Sequence, residues 1–160
     1  MRFLRHQAIL LGTSLALLLP PPAAPAQEAL DSEARREVAG LQTKVEGFFA
    51  DLTDKATGPA TAVRGLVADG PLKLRTEEVA KLIDQASRLE QRYGAYTGNE
   101  SVAAKAVGGD LVFLRYLYKA EKFPVVWEFT YYRTETATGL KRDWTLIALK
   151  FDTQLEALAR

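Results

Sequence analysis

Asp110-Leu111-Val112-Phe113-Leu114-Arg115-Tyr116-Leu117-Tyr118-Lys119 and, after one short link, Val125-Val126-Trp127-Glu128-Phe129-Thr130-Tyr131-Tyr132-Arg133-Thr134 are rich in β-branched and aromatic residues. That composition suits strands, whose successive side chains point to opposite faces. The link from Ala120 to Pro124 is too short for the crossover that a parallel pair requires, so an antiparallel pair is expected. Pairing Tyr118 with Val125, Tyr116 with Trp127, Leu114 with Phe129 and Val112 with Tyr131 gathers Tyr116, Tyr118, Trp127, Phe129 and Tyr131 on one face as an aromatic wall. The other face then sets Arg115 across from Glu128, an opposite-charge pair worth about 0.2–1 kcal/mol on a sheet surface. Because the side-chain period is two, a slip of one residue would break that pair and part the aromatics.

Working outward, Trp144 to Phe151 reads as the last strand and Ser101 to Val107 as a weaker, alanine-rich one. Gly108-Gly109 between strands reads as a tight turn. Both faces of these strands carry large apolar residues, so helices are expected on one face and a curl of the sheet, or a second subunit, on the other.

Upstream the period changes to that of helices. Leu30, Ala34, Val38, Leu41, Val45, Phe48 and Leu52 recur every three or four residues, which predicts a helix from about Ser32 to Leu52 with Phe49 broadening its apolar stripe. Asp31 or Ser32 would cap it, with Glu33 near its positive end. Thr57-Gly58-Pro59 stops and restarts the chain, and Ala60 to Ala68 forms a short helix presenting Val63, Leu66 and Val67 until Asp69-Gly70-Pro71 ends it. A third helix runs from Thr76 to Tyr93 on Val79, Leu82, Ile83, Ala86, Leu89 and Tyr93, with Gly94 as its C-terminal cap. The fold class is therefore α+β: N-terminal helices (about 32–93) packed on an antiparallel sheet of three to four strands (about 101–151).

The start of the chain reads differently. Arg2 and Arg5 precede an apolar run from Ala8 to Leu19, then Pro20-Pro21-Pro22 and the small residues Ala24-Pro25-Ala26. This is the pattern of a cleaved secretory signal, residues 1–26, and the apolar run falls short of the roughly 20 residues that span a bilayer. A periplasmic or secreted chain starting at Gln27, with no stable membrane span, is the expectation. Cleavage removes the only His (His6) and the only Met, and Cys is absent throughout. Thiol chemistry, imidazole bases and disulfides are excluded from that mature chain, and packing must stabilise one domain of 134 residues, 27–160. Removal of Arg2 and Arg5 leaves 19 basic against 20 acidic residues, without the basic excess that nucleic-acid binding needs.

The sequence phrases Asp69-Gly70-Pro71-Leu72, Tyr116-Leu117-Tyr118-Lys119, Trp127-Glu128-Phe129-Thr130-Tyr131-Tyr132-Arg133 and the late Trp144 resemble the superfamily named for nuclear transport factor two, the SnoaL-like cone-shaped α+β rolls. The likeness spans Ala34 to Asp152 and is nearest to small exported bacterial members of unassigned function. It implies helices closed over a concave sheet to form a pocket. Some members are isomerases, dehydratases or hydrolases, and many only bind or dimerise. Catalytic members set Asp, His or Tyr in the pocket, and the Asp–His pairing has no counterpart once His6 is lost.

Candidate pocket residues are Tyr116, Tyr118, Trp127, Phe129, Tyr131 and Trp144, with Arg115 and Glu128 as a candidate polar pair. No catalytic, cofactor or metal residue is assigned. Serines sit in no Gly-x-Ser-x-Gly elbow, no glycine-rich phosphate loop is present, and acidic residues never take calcium-loop spacing. The expected role is an exported, non-enzymatic binding or assembly module, with an apolar ligand behind the aromatic wall and dimerisation through the sheet. The competing expectation is a cone-fold isomerase, dehydratase or hydrolase using Asp110, Asp143 or Glu128 as acid or base, with Tyr131 or Arg115 holding an anion.

Overall fold

In the computed structural model the described residues are 25–136, 138–140 and 142–155, with side chains from Ser32 onward. The first 24 residues, and with them most of the expected signal, lie outside the described residues. The elements run α1 (Pro25–Thr53), α2 (Gly58–Val67), a 3-10 turn (Pro71–Leu74), α3 (Thr76–Ser87), α4 (Leu89–Tyr93), then β1 (Tyr96–Val107), β2 (Leu111–Ala120), β3 (Val125–Tyr132) and β4 (Thr145–Asp152). The four strands form one open antiparallel sheet in the order β1-β2-β3-β4, with the helices packed on it. The α+β class expected from periodicity is the fold observed.

The β2–β3 register is the expected one at every pair: Tyr118 faces Val125, Tyr116 faces Trp127, Arg115 faces Glu128, Leu114 faces Phe129 and Val112 faces Tyr131. Gly108, with φ of +61°, makes the β1–β2 turn in a conformation that side chains with a Cβ resist. Gly94, with φ of +90°, caps α4, and a Cβ there would meet Glu121 at 3.0 Å.

Four boundaries differ from expectation. The first helix begins at Pro25, so Asp31 and Ser32 lie inside it rather than at its start. The third helix breaks at Arg88, whose φ of −100° and ψ of 1° leave the helical region. There the Ser87 hydroxyl donates to the Ile83 carbonyl, a back-bond of the kind that bends helices, while the Arg88 guanidinium pairs with Asp84 one turn back. The first strand begins at Tyr96 rather than Ser101, held by Asn99 and Thr97 side-chain bonds at its start. The last strand begins at Thr145, leaving Trp144 just outside it.

The core lies between α1 and the inner face of β2–β3. Leu41, Val45, Phe48, Phe49 and Leu52 of α1 meet Leu114, Tyr116, Tyr118, Trp127, Phe129 and Tyr131, all buried. Phe49 stands edge-on to Trp127 with centroids 5.8 Å apart and an interplanar angle of 90°, and Phe48 does so at 5.3 Å and 64°. Trp127 stacks on Phe151 at 4.3 Å. Edge-to-face and offset rings suit the aromatic quadrupole and add to what burial alone contributes. Ala34, expected on the apolar stripe, is exposed, so the buried stripe starts near Val38.

Candidate functional site

The aromatic wall exists, but most of it is filled core. Tyr116, Tyr118, Trp127 and Phe129 are at most 3% exposed and line none of the described cavities. Phe48 and Phe49 occupy the space in front of them, which the sequence expectation left for a ligand. Tyr131 and Trp144 behave differently. Together they line a cleft of about 310 Å³ between α1, α2 and the adjoining ends of β3 and β4. Phe48, Ala62, Leu66 and Leu146 complete its apolar lining, and Lys44, Asp51 and Asp69 stand exposed on its rim.

Three buried donors have no hydrogen-bond partner among the described residues: Trp127 Nε1, Tyr131 Oη and Trp144 Nε1. The first lies in the core. The other two belong to the residues that line this cleft. A buried donor left unpaired costs about 1–3 kcal/mol, so two on residues lining one cleft are unusual. Burial pushes the Tyr131 phenol up to about 12, with Tyr116 adding to the rise. It therefore stays protonated at neutral pH and can only present a neutral O–H. The Tyr118 phenol is likewise pushed up to about 12 by burial, then by Tyr96 and Glu90.

Two helical glycines lie on the cleft. Gly47 on α1 and Gly65 on α2 both line it, and a Cβ at either would meet nothing within 4 Å. Glycine inside a helix costs about 1 kcal/mol relative to alanine, and no close packing accounts for it here. Gly70, also on the cleft, has a structural reason, because a Cβ there would lie 2.7 Å from the Leu146 carbonyl oxygen.

Trp144 is positioned by Arg133, whose guanidinium carbon lies 4.3 Å above its ring centroid. Arg133 is buried; it donates through Nη1 and Nη2 to the two Glu37 oxygens, and through Nε to the Gly109 carbonyl at 3.0 Å. This cluster joins α1, the β1–β2 turn and the segment after β3. Sequence reading missed it. The only available signal was an arginine directly after an aromatic strand, a position equally common on a solvated surface.

The carboxylates of the enzymatic expectation are dispersed. Asp110 and Asp143 are exposed in loops. Glu128 is three residues from Tyr131, hence on the opposite face of β3. There it accepts from Arg115 at 2.8 Å and Lys150 at 2.6 Å. The expected Arg115–Glu128 pair is therefore present, extended by Lys150 on β4. Lys150 chiefly, then Arg115, holds the Glu128 carboxyl below its usual range. A lowered carboxyl contributes stability above its unfolded value of 4.5 and loses that contribution as pH falls through the folded value. Glu128→Gln should thus cost about 0.2–1 kcal/mol at pH 7, and the difference from the parent should vanish in acid. Urea midpoints at both pH values check this, and a difference that persists in acid would contradict it.

Among the described residues no group of three or more His, Cys, Asp or Glu is placed to hold a metal, and no helix is long and apolar enough to cross a membrane. Comparison with protein families, curated proteins and solved structures finds no match for this chain.

Proposed function

We propose that the chain is an exported, non-enzymatic binding module that holds a small, mainly apolar molecule bearing a hydrogen-bond acceptor. The site is the cleft lined by Tyr131 and Trp144. The observation that carries this reading is that two of the residues lining the cleft, Tyr131 and Trp144, hold buried donors with no partner among the described residues. An acceptor on the ligand would satisfy a phenol or indole that the fold leaves unpaired. The glycines at 47 and 65 keep the entrance open at a cost to both helices. The resemblance to cone-shaped rolls, whose helices close over a sheet, supports the same role, and the residue pattern at 1–26 supports export.

Tyr131→Phe tests it, because removing an unsatisfied hydroxyl should not harm the empty protein. Without ligand the variant should be as stable as the parent, or more stable by up to about 1 kcal/mol. A thermal-shift screen of apolar carbonyl and ether compounds should find some that raise the parent's melting temperature by binding only the native state. Those compounds should shift Tyr131→Phe less and Gly65→Leu not at all, since a leucine on α2 would fill the cleft. Equal shifts in all three proteins, or none in the parent, would refute the proposal.

A further inference from the structure

The free edge of β1 carries a second inference, independent of the cleft. β1 pairs with β2 on one side only and ends the sheet. Every residue from Glu100 to Val107 is exposed, including Ala104 and Ala106 on the helix-facing side. A long edge with unpaired N–H and C=O groups is a template for another strand, and proteins usually blunt it with a bulge or a lysine. β1 has both, but arranged in an unusual way. The bulge between Ser101 and Ala103 shifts the alternation, so that Glu100 faces Leu117 and Lys105 faces Phe113, both on the outer face. An odd separation of five would otherwise put them on opposite faces.

With the bulge, the outer-facing series Gly98, Glu100, Val102 with Ala103, Lys105, Val107 is symmetric in position about the bulge, with the opposite charges of Glu100 and Lys105 at matching places on its two sides. A two-fold axis normal to the sheet, between Val102 and Ala103, sets Glu100 of each copy opposite Lys105 of the other. The same rotation places Ser101 opposite Ala104 and Asn99 opposite Ala106, small or short side chains on the helix side. Glu100 already holds Lys119, whereas Lys105 makes no ion pair among the described residues. A second copy would give each Lys105 its carboxylate and turn the guarding lysine into a register mark. We propose that β1 pairs antiparallel with β1 of a second copy, joining two four-stranded sheets into one of eight through reciprocal Glu100–Lys105 pairs.

Sedimentation of the purified protein over a concentration series reads the outcome. The parent should dimerise, and Lys105→Glu, which sets four carboxylates around the axis, should weaken the dimer roughly tenfold or more. Glu100→Lys combined with Lys105→Glu and Lys119→Glu restores opposite charges both across the axis and within each chain, and should recover the parent's dissociation constant to within about threefold. Because the chain has no cysteine of its own, the variant Ser101→Cys/Ala104→Cys should form a covalent dimer on mild oxidation. A parent that stays monomeric at every concentration overturns the proposal. So does a dimer indifferent to Lys105→Glu, and so does a failure of the triple swap to recover affinity. Monomers whose edge captures an unrelated extended peptide would overturn it as well.

Discussion

Phe49→Ala is expected to remove about 4 kcal/mol of folding stability, the upper part of the range for truncating a buried phenylalanine. Phe49 is fully buried, and its ring centroid lies within 6.2 Å of those of Phe48, Tyr116, Tyr118, Trp127 and Phe129. Alanine would leave a cavity where helix and sheet meet. Its neighbours are large rings in fixed mutual geometry, and rings cannot fold inward as aliphatic chains do, so collapse of the cavity should be slight. Against a total of about 5–15 kcal/mol for an ordinary domain, such a loss brings the protein near its unfolding threshold. The urea midpoint should fall sharply with an unchanged slope, since the surface exposed on unfolding stays the same. Phe123, 39% exposed beside Tyr93, is the control, and Phe123→Ala should stay within about 1 kcal/mol of the parent. Similar losses at both positions would mean that the core is not centred on Phe49.

The second large effect comes from the Glu37–Arg133 pair, and its two halves should respond unequally. The Arg133 side chain is 6% exposed and that of Glu37 26%. Glu37→Ala strands a buried guanidinium that cannot reach water, a change costing about 3 kcal/mol. Arg133→Met instead frees a carboxylate that can turn to solvent, and the new thioether can still lie on Trp144. It should therefore cost less, about 1–2 kcal/mol for the Gly109 carbonyl and the lost pair. Melting temperatures of the two variants decide the matter. If Arg133→Met proves the more damaging, the arginine acts mainly through stacking and the Gly109 bond, and the buried-charge account is wrong.

Tyr131→Phe bears on both levels at once, because it is expected to be silent for packing while weakening the proposed binding. The pairing of β2 with β3 was legible because two signals agreed: the short link required antiparallel strands, and Arg115 opposite Glu128 marked the register. The helices were legible as stripes, yet the break at Arg88 was not. It coincides with the Ser87 hydroxyl bonding back to the Ile83 carbonyl, which the periodicity of Val79, Leu82, Ile83 and Ala86 does not record. The aromatic wall was legible as a face, but what lies against a face is a separate question. Two adjacent phenylalanines on α1, Phe48 and Phe49, both turn toward the sheet and fill what the sequence reading took for a cavity. Arg133 was hidden for a different reason: its partner Glu37 lies 96 positions away, and no local rule joins them.

From residue order alone come the element types, the pairing and register of β2 with β3 and the absence of thiols, since each depends on local period, link length or composition. Tertiary structure alone decided which aromatics are core and which line an opening, where the free edge lies, and which charges are buried. Those outcomes depend on elements distant in the chain meeting in space, and side-chain periodicity says which way a residue points without saying what it will find there.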